Sequence, residues 1–249
     1  MSIAACADLV ARGDPDRFAA TMAAPQAARP VLFPLYAFNI EVSRAPWLSS
    51  EPMIAEMRLQ WWYDVLGEIA TGAPPRRHEV VTPLAGVLDP AGARLLQPLV
   101  EARRWDIYRD PFSDEAALIQ HLETTGGTLM WAAARALGGR EEAVYRDIGF
   151  ATALAGWLRA IPELEARGRV PLVDGRPDAV AALARVGLAR LGRGRLTGAG
   201  YAAGIAGWQT RAILRRAAGA PGLVAAGALQ GSEFARRGGL LRAAFLRRI

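Results

Sequence analysis

Residues 148–173 read IGFATALAGWLRAIPELEARGRVPLV. Apolar residues return every three to four positions, the spacing of a helix with one buried face. Charges intrude beside that face: Arg159, Glu163, Glu165, Arg167 and Arg169 alternate with Trp157, Leu158, Ile161 and Leu164. Such a segment is a metal and phosphate site, the remains of one, or a helix end wetted by solvent. Pro162 lies inside it and is expected to disturb the helix. The rest of the chain decides among the three.

Outward in both directions the period stays helical. Few runs alternate with period two, and β-branched residues never cluster for long. Asp14-Pro15-Asp16 is a start signal for a helix over 17–24. Pro25 and Pro30 frame a turn into 31–45, which Pro34 is expected to break or bend. Ser49-Ser50-Glu51-Pro52 opens a helix over 53–70 that ends near Gly72. Residues 72–92 are rich in Pro, Gly and Arg and read as a loop with one short helix inside. Helices follow over 93–109, from Ser113-Asp114-Glu115 to Leu137, and over 141–165, 179–191, 200–216 and 233–248. There is no internal repeat, and no linker is long enough to separate a second domain. Residues 1–249 therefore form one all-α bundle of about eight to ten helices.

Composition narrows the function. All 30 basic residues are arginine, and they are unevenly placed. Residues 1–158 hold 14 Arg against 19 acids, net −5, whereas 159–249 hold 16 Arg against 5 acids, net +11. A basic C-terminal third suits an anionic partner, a membrane surface or an acidic protein, with Arg236, Arg237, Arg247 and Arg248 as the contact candidates. It carries no helix-turn-helix signature and little interleaved aromatic, so no nucleic acid is expected. Cys6 is the single cysteine, which excludes a disulfide framework and a cysteine metal cluster. His78 and His121 lie 43 positions apart with no third ligand at helical spacing, so no metal site is expected from them. The opening MSIAACADLVARGD lacks a basic n-region and is not read as a signal peptide. No apolar run reaches the roughly 18–20 residues of a membrane span.

Two further stretches stand out. MRLQWWYDVL (57–66) sets two tryptophans on one helix about 100° apart, so that one faces the core and the other a neighbour or a cavity. Core packing accounts for them equally well. HLETTGGTLM (121–130) puts Gly126-Gly127 inside a helix at a cost of about 1 kcal/mol each against Ala. That pair signals a close helix approach, a kink, or space kept for a ligand.

Taken in order, these pieces resemble the squalene/phytoene synthase family. The carriers are DRFAATMAAPQAARPVLFPLYAFNIEV (16–42), EPMIAEMRLQWWYDVL (51–66), HLETTGGTLMWAAARALG (121–138) and the opening segment. The likeness is strongest over 14–175 and weak over 176–249. It implies an isoprenoid-synthase-type bundle around a central cavity. It also implies two aspartate-rich motifs on facing helices, which hold the Mg²⁺ that neutralises a leaving pyrophosphate.

The chain departs from the family at those motifs. After Tyr36-Ala37-Phe38 come Asn39, Ile40, Glu41, Val42, Ser43 and Arg44, with Ser43 and Arg44 about where the aspartate pair belongs. In the second motif, Ala160 stands for the aspartate and Leu164 for the second acid, while Arg159, Glu163 and Arg169 remain. Arg159 is expected to pair with Glu163 at i,i+4. The resemblance thus implies a degenerate diphosphate cavity lined by Tyr36, Asn39, Glu41, Ser43, Arg44, Arg58, Trp61, Trp62, Thr125, Gly127, Arg159, Ala160, Glu163 and Arg169. No catalytic residue, metal or cofactor is expected in it.

Within the family, the wording of 37–41 and 158–162 is most similar to the non-catalytic branch, the mitochondrial complex I assembly factor and its bacterial relatives. That likeness implies a role in building NADH–quinone oxidoreductase, peripheral at the cytoplasmic face of an inner membrane, with complex I subunits as partners. Two alternatives stay open. One is a prenyl-diphosphate synthase whose Mg²⁺ ligands have moved, to Glu56, Asp64 and Glu123 for example. The other is a protein that binds an isoprenoid or quinone tail among Tyr36, Phe38, Trp61, Trp62 and Trp157.

Overall fold

The computed structural model describes residues 3–108, 110–192 and 194–249. Its helices are α1 (Ile3–Gly13), α2 (Pro15–Ala23), α3 (Arg29–Arg44), α4 (Pro52–Thr71), α5 (Val81–Ala85), α6 (Pro90–Ala102) and α7 (Glu115–Leu122). After a π-helical segment (Glu123–Gly127) come α8 (Thr128–Ala136), α9 (Glu142–Ala166), α10 (Pro177–Leu191), α11 (Tyr201–Gly204), α12 (Thr210–Gly219), α13 (Gly222–Ala225) and α14 (Glu233–Leu246). Among the described residues the only β pairing is one bridge, Arg195 with Arg248.

The helix starts follow local chemistry. Asp14, Asp89, Asp114 and Ser232 each accept a hydrogen bond from the backbone N–H three residues on, satisfying donors that a first turn leaves free. Asp89-Pro90 is one such start, so α6 begins at Pro90 rather than at 93, and the stretch after it tightens into a 3₁₀ turn, Arg103–Asp106. α4 stops at Gly72, whose φ of +75° suits glycine.

The two internal prolines do not end their helices. α3 runs on through Pro34, whose missing donor would have faced Pro30, one turn from the helix start, and whose surroundings are buried. α9 runs on through Pro162 to Ala166. The expected helix over 200–216 is instead two pieces, α11 and α12, joined by a 3₁₀ turn at Ile205–Gly207. There the chain presses against its neighbours: a Cβ on Gly207 would lie 2.8 Å from Ile249 Cδ1 and 2.9 Å from Thr152 Oγ1. α1, to which the periodicity assigned no helix, packs on α3 and buries Cys6, Leu9 and Val10.

The longest helix, α9, packs against α7, the π-helical segment, α8, α10, α12 and α13. Its crossing with the π-helical segment is backbone to backbone. A Cβ on Gly149 would stand 2.6 Å from Met130 Cβ and 2.8 Å from Gly127 Cα, and one on Gly126 would stand 2.9 Å from the Gly149 carbonyl oxygen. The Gly126-Gly127 pair therefore serves a close approach, combined with a π turn that offsets α7 from α8. Further along α9, Gly156 faces open space, with nothing within 4 Å of its Cβ position.

These two glycines of one helix predict opposite results. Gly149→Ala should lower stability by about 2 kcal/mol through overpacking. Gly156→Ala should raise it by up to about 1 kcal/mol, because only the helix-interior penalty of glycine is removed. Thermal unfolding of the two variants checks both signs.

Candidate functional site

A cavity of about 370 Å³ lies between α3 and α9 and is closed at its sides by α2, the 3₁₀ turn after α6, α7 and α12. From α3 and the 3₁₀ turn that follows it, Asn39, Ser43 and Trp47 face inward at one-turn spacing. From α9, Thr152, Gly156, Arg159, Ala160 and Leu164 do the same. Ser43, Trp47, Ala160 and Leu164 thus occupy the two facing walls at i,i+4 spacing, and all four are uncharged.

The carboxylates that do reach the cavity are Asp14, Asp16 and Asp106, and each is bound to arginine. Asp14 caps α2 and pairs with Arg17 at 3.0 Å. Asp16 binds Arg159 of α9 at 3.0 Å and Arg236 of α14 at 2.7 Å. Burial alone would raise the Asp16 carboxyl, but the hydrogen bonds from Arg159, Arg236 and Gln209 outweigh it and hold the group below its ordinary value. Asp106 pairs with Arg103 at 3.3 Å, yet burial dominates there and raises its carboxyl. Arg169, itself buried, donates to the Asp106 carbonyl and packs between the rings of Trp47 and Trp105.

Beside this corner stands an aromatic box. Trp105 and Phe112 stack with centroids 4.2 Å apart, and His121 and Trp157 tilt against both at 5.4–5.8 Å. Trp157 is fixed by a 2.9 Å bond from its N–H to the Pro171 carbonyl. His121 is 7% exposed, lines the cavity, and has no hydrogen-bond partner for Nε2. Burial, with Arg103 nearby, pushes its imidazole down to about 3, so the ring is neutral at physiological pH.

The residues expected to form one site divide between several places. Asn39, Ser43, Thr125, Arg159 and Ala160 line the cavity. Glu41, Arg58, Trp61 and Trp62 line a separate groove with Met57 and His78. Tyr36 is core: it is fully buried, donates to the Ala203 carbonyl at 3.4 Å, and burial pushes its hydroxyl up to about 12. Arg44 is exposed. Gly127 packs against Arg146 of α9. Glu163 points outward and pairs with Arg167 at 2.5 Å, so Arg159 bonds Asp16 rather than Glu163. Asp14, Asp16, Arg17, Arg103, Asp106, His121 and Gln209 belong to the site and were not expected there. Asp14 and Asp16 read only as a helix start, and His121 only as a failed metal ligand. The mark of His121 was its place four residues before Thr125-Gly126.

The donor set does not fit a Mg²⁺ cluster. Among the described residues no three of His, Cys, Asp and Glu stand together so as to hold a metal ion. Glu56, Asp64 and Glu123 are engaged separately: Glu56 by Arg104 and Tyr108, Asp64 by Gln60 at 2.8 Å, and Glu123 by Arg190 at 2.7 Å.

The four C-terminal arginines also divide. Arg236 is spent inward, on Asp16, on Glu233 at 2.7 Å and on Gln209 at 3.2 Å. Arg237, Arg247 and Arg248 are exposed. Arg247 covers the Tyr201 ring at 3.9 Å. Successive 100° steps bring Phe234, Leu241 and Phe245 within about 40° of one line on α14. These three are 90%, 59% and 80% exposed, and the exposed Arg237 and Arg242 flank them on either side. No helix among the described residues is long and apolar enough to cross a membrane.

Residues 10–229 match the squalene/phytoene synthase family. The chain belongs to that family. It is 30% identical over 181 residues to the complex I assembly factor 6 homolog of Drosophila melanogaster, covering 68% of this chain and 53% of that protein. It is 24% identical over 169 residues to complex I assembly factor 6 of Bos taurus and of Homo sapiens, covering 66% of this chain and 51% of each. The chain thus spans about half the length of these relatives. A crystal structure of a dehydrosqualene synthase in complex with ligand superposes with a TM-score of 0.69 at 13% identity, covering 98% of this chain and 96% of that one. The all-α synthase fold follows from that match.

His121 makes a pH prediction. Its folded value lies below the unfolded value of about 6.5, so the unfolded chain binds the proton first and stability falls as pH drops from about 6.5 toward 3. Denaturant midpoints measured from pH 7.5 to 4 should show that decline, and His121→Phe should flatten it between pH 6.5 and 4.5.

Proposed function

We propose that this chain is a non-catalytic member of the squalene/phytoene synthase family and serves the assembly of NADH–quinone oxidoreductase, bound peripherally at the cytoplasmic face of a membrane. One observation carries the first half. Across the cavity, Ser43 and Trp47 face Ala160 and Leu164 where Mg²⁺-dependent chemistry would need unpaired carboxylates, and the acids nearby are tied to arginines. The assembly role rests on the similarity to complex I assembly factor 6 of three animals. Complex I subunits are the partners it implies. No cofactor belongs to this reading.

The face of α14 supports the membrane. An apolar line bordered by arginines is the pattern of a helix lying in an interface, with rings among the acyl chains and guanidinium groups at the phosphates. Each arginine near an anionic surface adds about 1 kcal/mol, and each buried Phe or Leu about 2 kcal/mol. The retained cavity supports a second, compatible reading, an isoprenoid-binding protein.

Two measurements test these statements. Incubated with Mg²⁺ and C10 to C20 isoprenyl diphosphates beside an active synthase, the protein should release no pyrophosphate above the protein-free control. Membranes from a strain lacking the gene should lose NADH–quinone activity. Pyrophosphate release at a synthase-like rate refutes the non-catalytic half, and full activity in the deletion strain refutes the assembly half.

The surface is tested separately. Co-sedimentation with phosphatidylglycerol-containing vesicles should fall about tenfold for a Phe234→Ser, Phe245→Ser double variant, and also in high salt. Arg236→Gln should instead lower the melting temperature, since that side chain ties α14 to Asp16.

A further inference from the structure

The one β bridge among the described residues sets two like charges side by side. Leu196 N–H donates to the Arg247 carbonyl at 2.8 Å, and Ile249 N–H donates to the Gly194 carbonyl at 2.9 Å. These two bonds flank Arg195 and Arg248, which therefore face each other as the non-hydrogen-bonded pair of an antiparallel ladder. In such a pair the Cα atoms stand about 4.5 Å apart and both side chains leave by the same face. Leu196 and Ile249, next along each strand, are buried, so the alternate face carries Arg195 and Arg248 into solvent, and both are exposed.

Nothing neutralises this pair. Residues 192–249 hold ten arginines and a single acid, Glu233, which Arg236 and Arg237 already share. Among the described residues neither Arg195 nor Arg248 has an ion-pair partner. Glu141 lies against Gly198 of the same loop, but its carboxylate takes the Arg140 N–H. Like charges directly opposite each other on paired strands work against the fold. The turn that brings them together is strained as well. Arg247, with a φ of +51°, is the one described non-glycine residue in the left-handed region, and it leads the end of α14 into the bridge. Arg211 of α12 secures the inner side, donating to the Gly192 carbonyl at 2.8 Å and to the Ile249 carbonyl at 3.0 Å. Burial and the like charges of Arg215 and Arg242 hold the Arg211 guanidinium below its ordinary value, so α12 and α14 add positive charge behind the bridge.

An anion that bonds both guanidinium groups relieves their repulsion. Two adjacent forks suit the oxygens of one phosphate, and two unbalanced positive charges match a phosphate monoester, which carries nearly two negative charges at pH 7. We propose that Arg195 and Arg248 form a clamp for a phosphate monoester, either free or as the head of a lipid. Phe245 and Leu246 lie just before the bridge and are 80% and 66% exposed, which favours the lipid source. The clamp lies outside the cavity and does not depend on the membrane reading; only its lipid source does.

The test titrates the full chain calorimetrically at pH 7.5, with ionic strength fixed by NaCl. The probes are glycerol 3-phosphate and glycerophosphoglycerol, the soluble heads of phosphatidate and phosphatidylglycerol. The monoester should bind at least tenfold more tightly than the diester. Arg195→Gln and Arg248→Gln should each weaken the monoester at least tenfold. Arg248→Glu, which sets a carboxylate opposite Arg195, should abolish binding without lowering the melting temperature. No binding of the monoester, equal binding of the diester, or undiminished binding to Arg248→Gln each overturns the proposal. Vesicles then separate the two sources. At equal surface charge the wild type should sediment several-fold more with phosphatidate than with phosphatidylglycerol, and Arg248→Gln should erase that preference. Equal sedimentation beside intact monoester binding supports the clamp with a soluble ligand and overturns the lipid source. Failure to sediment with either lipid would sink the membrane reading itself, while the calorimetry still decides the clamp.

Discussion

Where α9 crosses the π-helical segment, backbone touches backbone, and that contact sets the distances across the whole cavity. Gly126 and Gly149 admit no side chain there, and a Cβ on Gly127 would crowd the Arg146 carbonyl at 3.3 Å. Because the crossing is close, Thr125 and His121 on one side and Thr152, Gly156 and Arg159 on the other are held at fixed separations along the same wall. The π turn adds a second constraint. It shifts the register between α7 and α8, so His121 faces the cavity together with Thr125, whose hydroxyl bonds the His121 carbonyl at 2.7 Å. A residue larger than glycine at the crossing would move α9 and widen everything that depends on it.

The charges of the cavity wall are the second determinant. A metal-dependent prenyl transferase must keep several carboxylates close together and unpaired until ions arrive, and like charges held that way work against the fold. In this chain the cavity acids are satisfied from within. Asp16 is the clearest case, because it joins three helices: α2 through its own position, α9 through Arg159 and α14 through Arg236. A carboxylate that would repel its neighbours in an ion site here holds the last helix of the described chain to the bundle. The same bond turns Arg236 inward, which leaves the outer face of α14 to Phe234, Leu241 and Phe245.

The all-α architecture and most helix limits were legible from period and caps, because those signals are local: Asp14, Asp89, Asp114, Gly72 and the 3.6-residue spacing of α9 act within one turn. The breaks at Ile205–Gly207 and Glu123–Gly127 were not, since each depends on a neighbour far along the chain pressing on a glycine. The two facing walls were half legible. Family likeness marked Ser43, Ala160 and Leu164, and helical spacing carries Ser43 on to Trp47. It also drew in Glu41, Arg44 and Glu163, and the helix phase sends these to a second groove, to solvent and to Arg167. Asp16 and His121 escaped notice because their partners lie 143 and 220 residues away in the first case, and because in the second an absent partner leaves no trace in a linear text.

A bundle whose cavity is lined by uncharged side chains and by acids already paired with arginine has two separate surfaces to use. The inner one is set by α9 and the close crossing at Gly126 and Gly149. The outer one is available because the pair Asp16–Arg236 fixes α14 from beneath. Binding at the inner surface need not deform the outer one, for no residue of the α14 apolar line reaches the cavity. They are nonetheless joined through a single carboxylate, as Asp16 lines the cavity and holds α14 at once. A cavity occupant that disturbed Asp16 would loosen the helix that faces the surface. One that left Asp16 paired leaves the outer face as it stands.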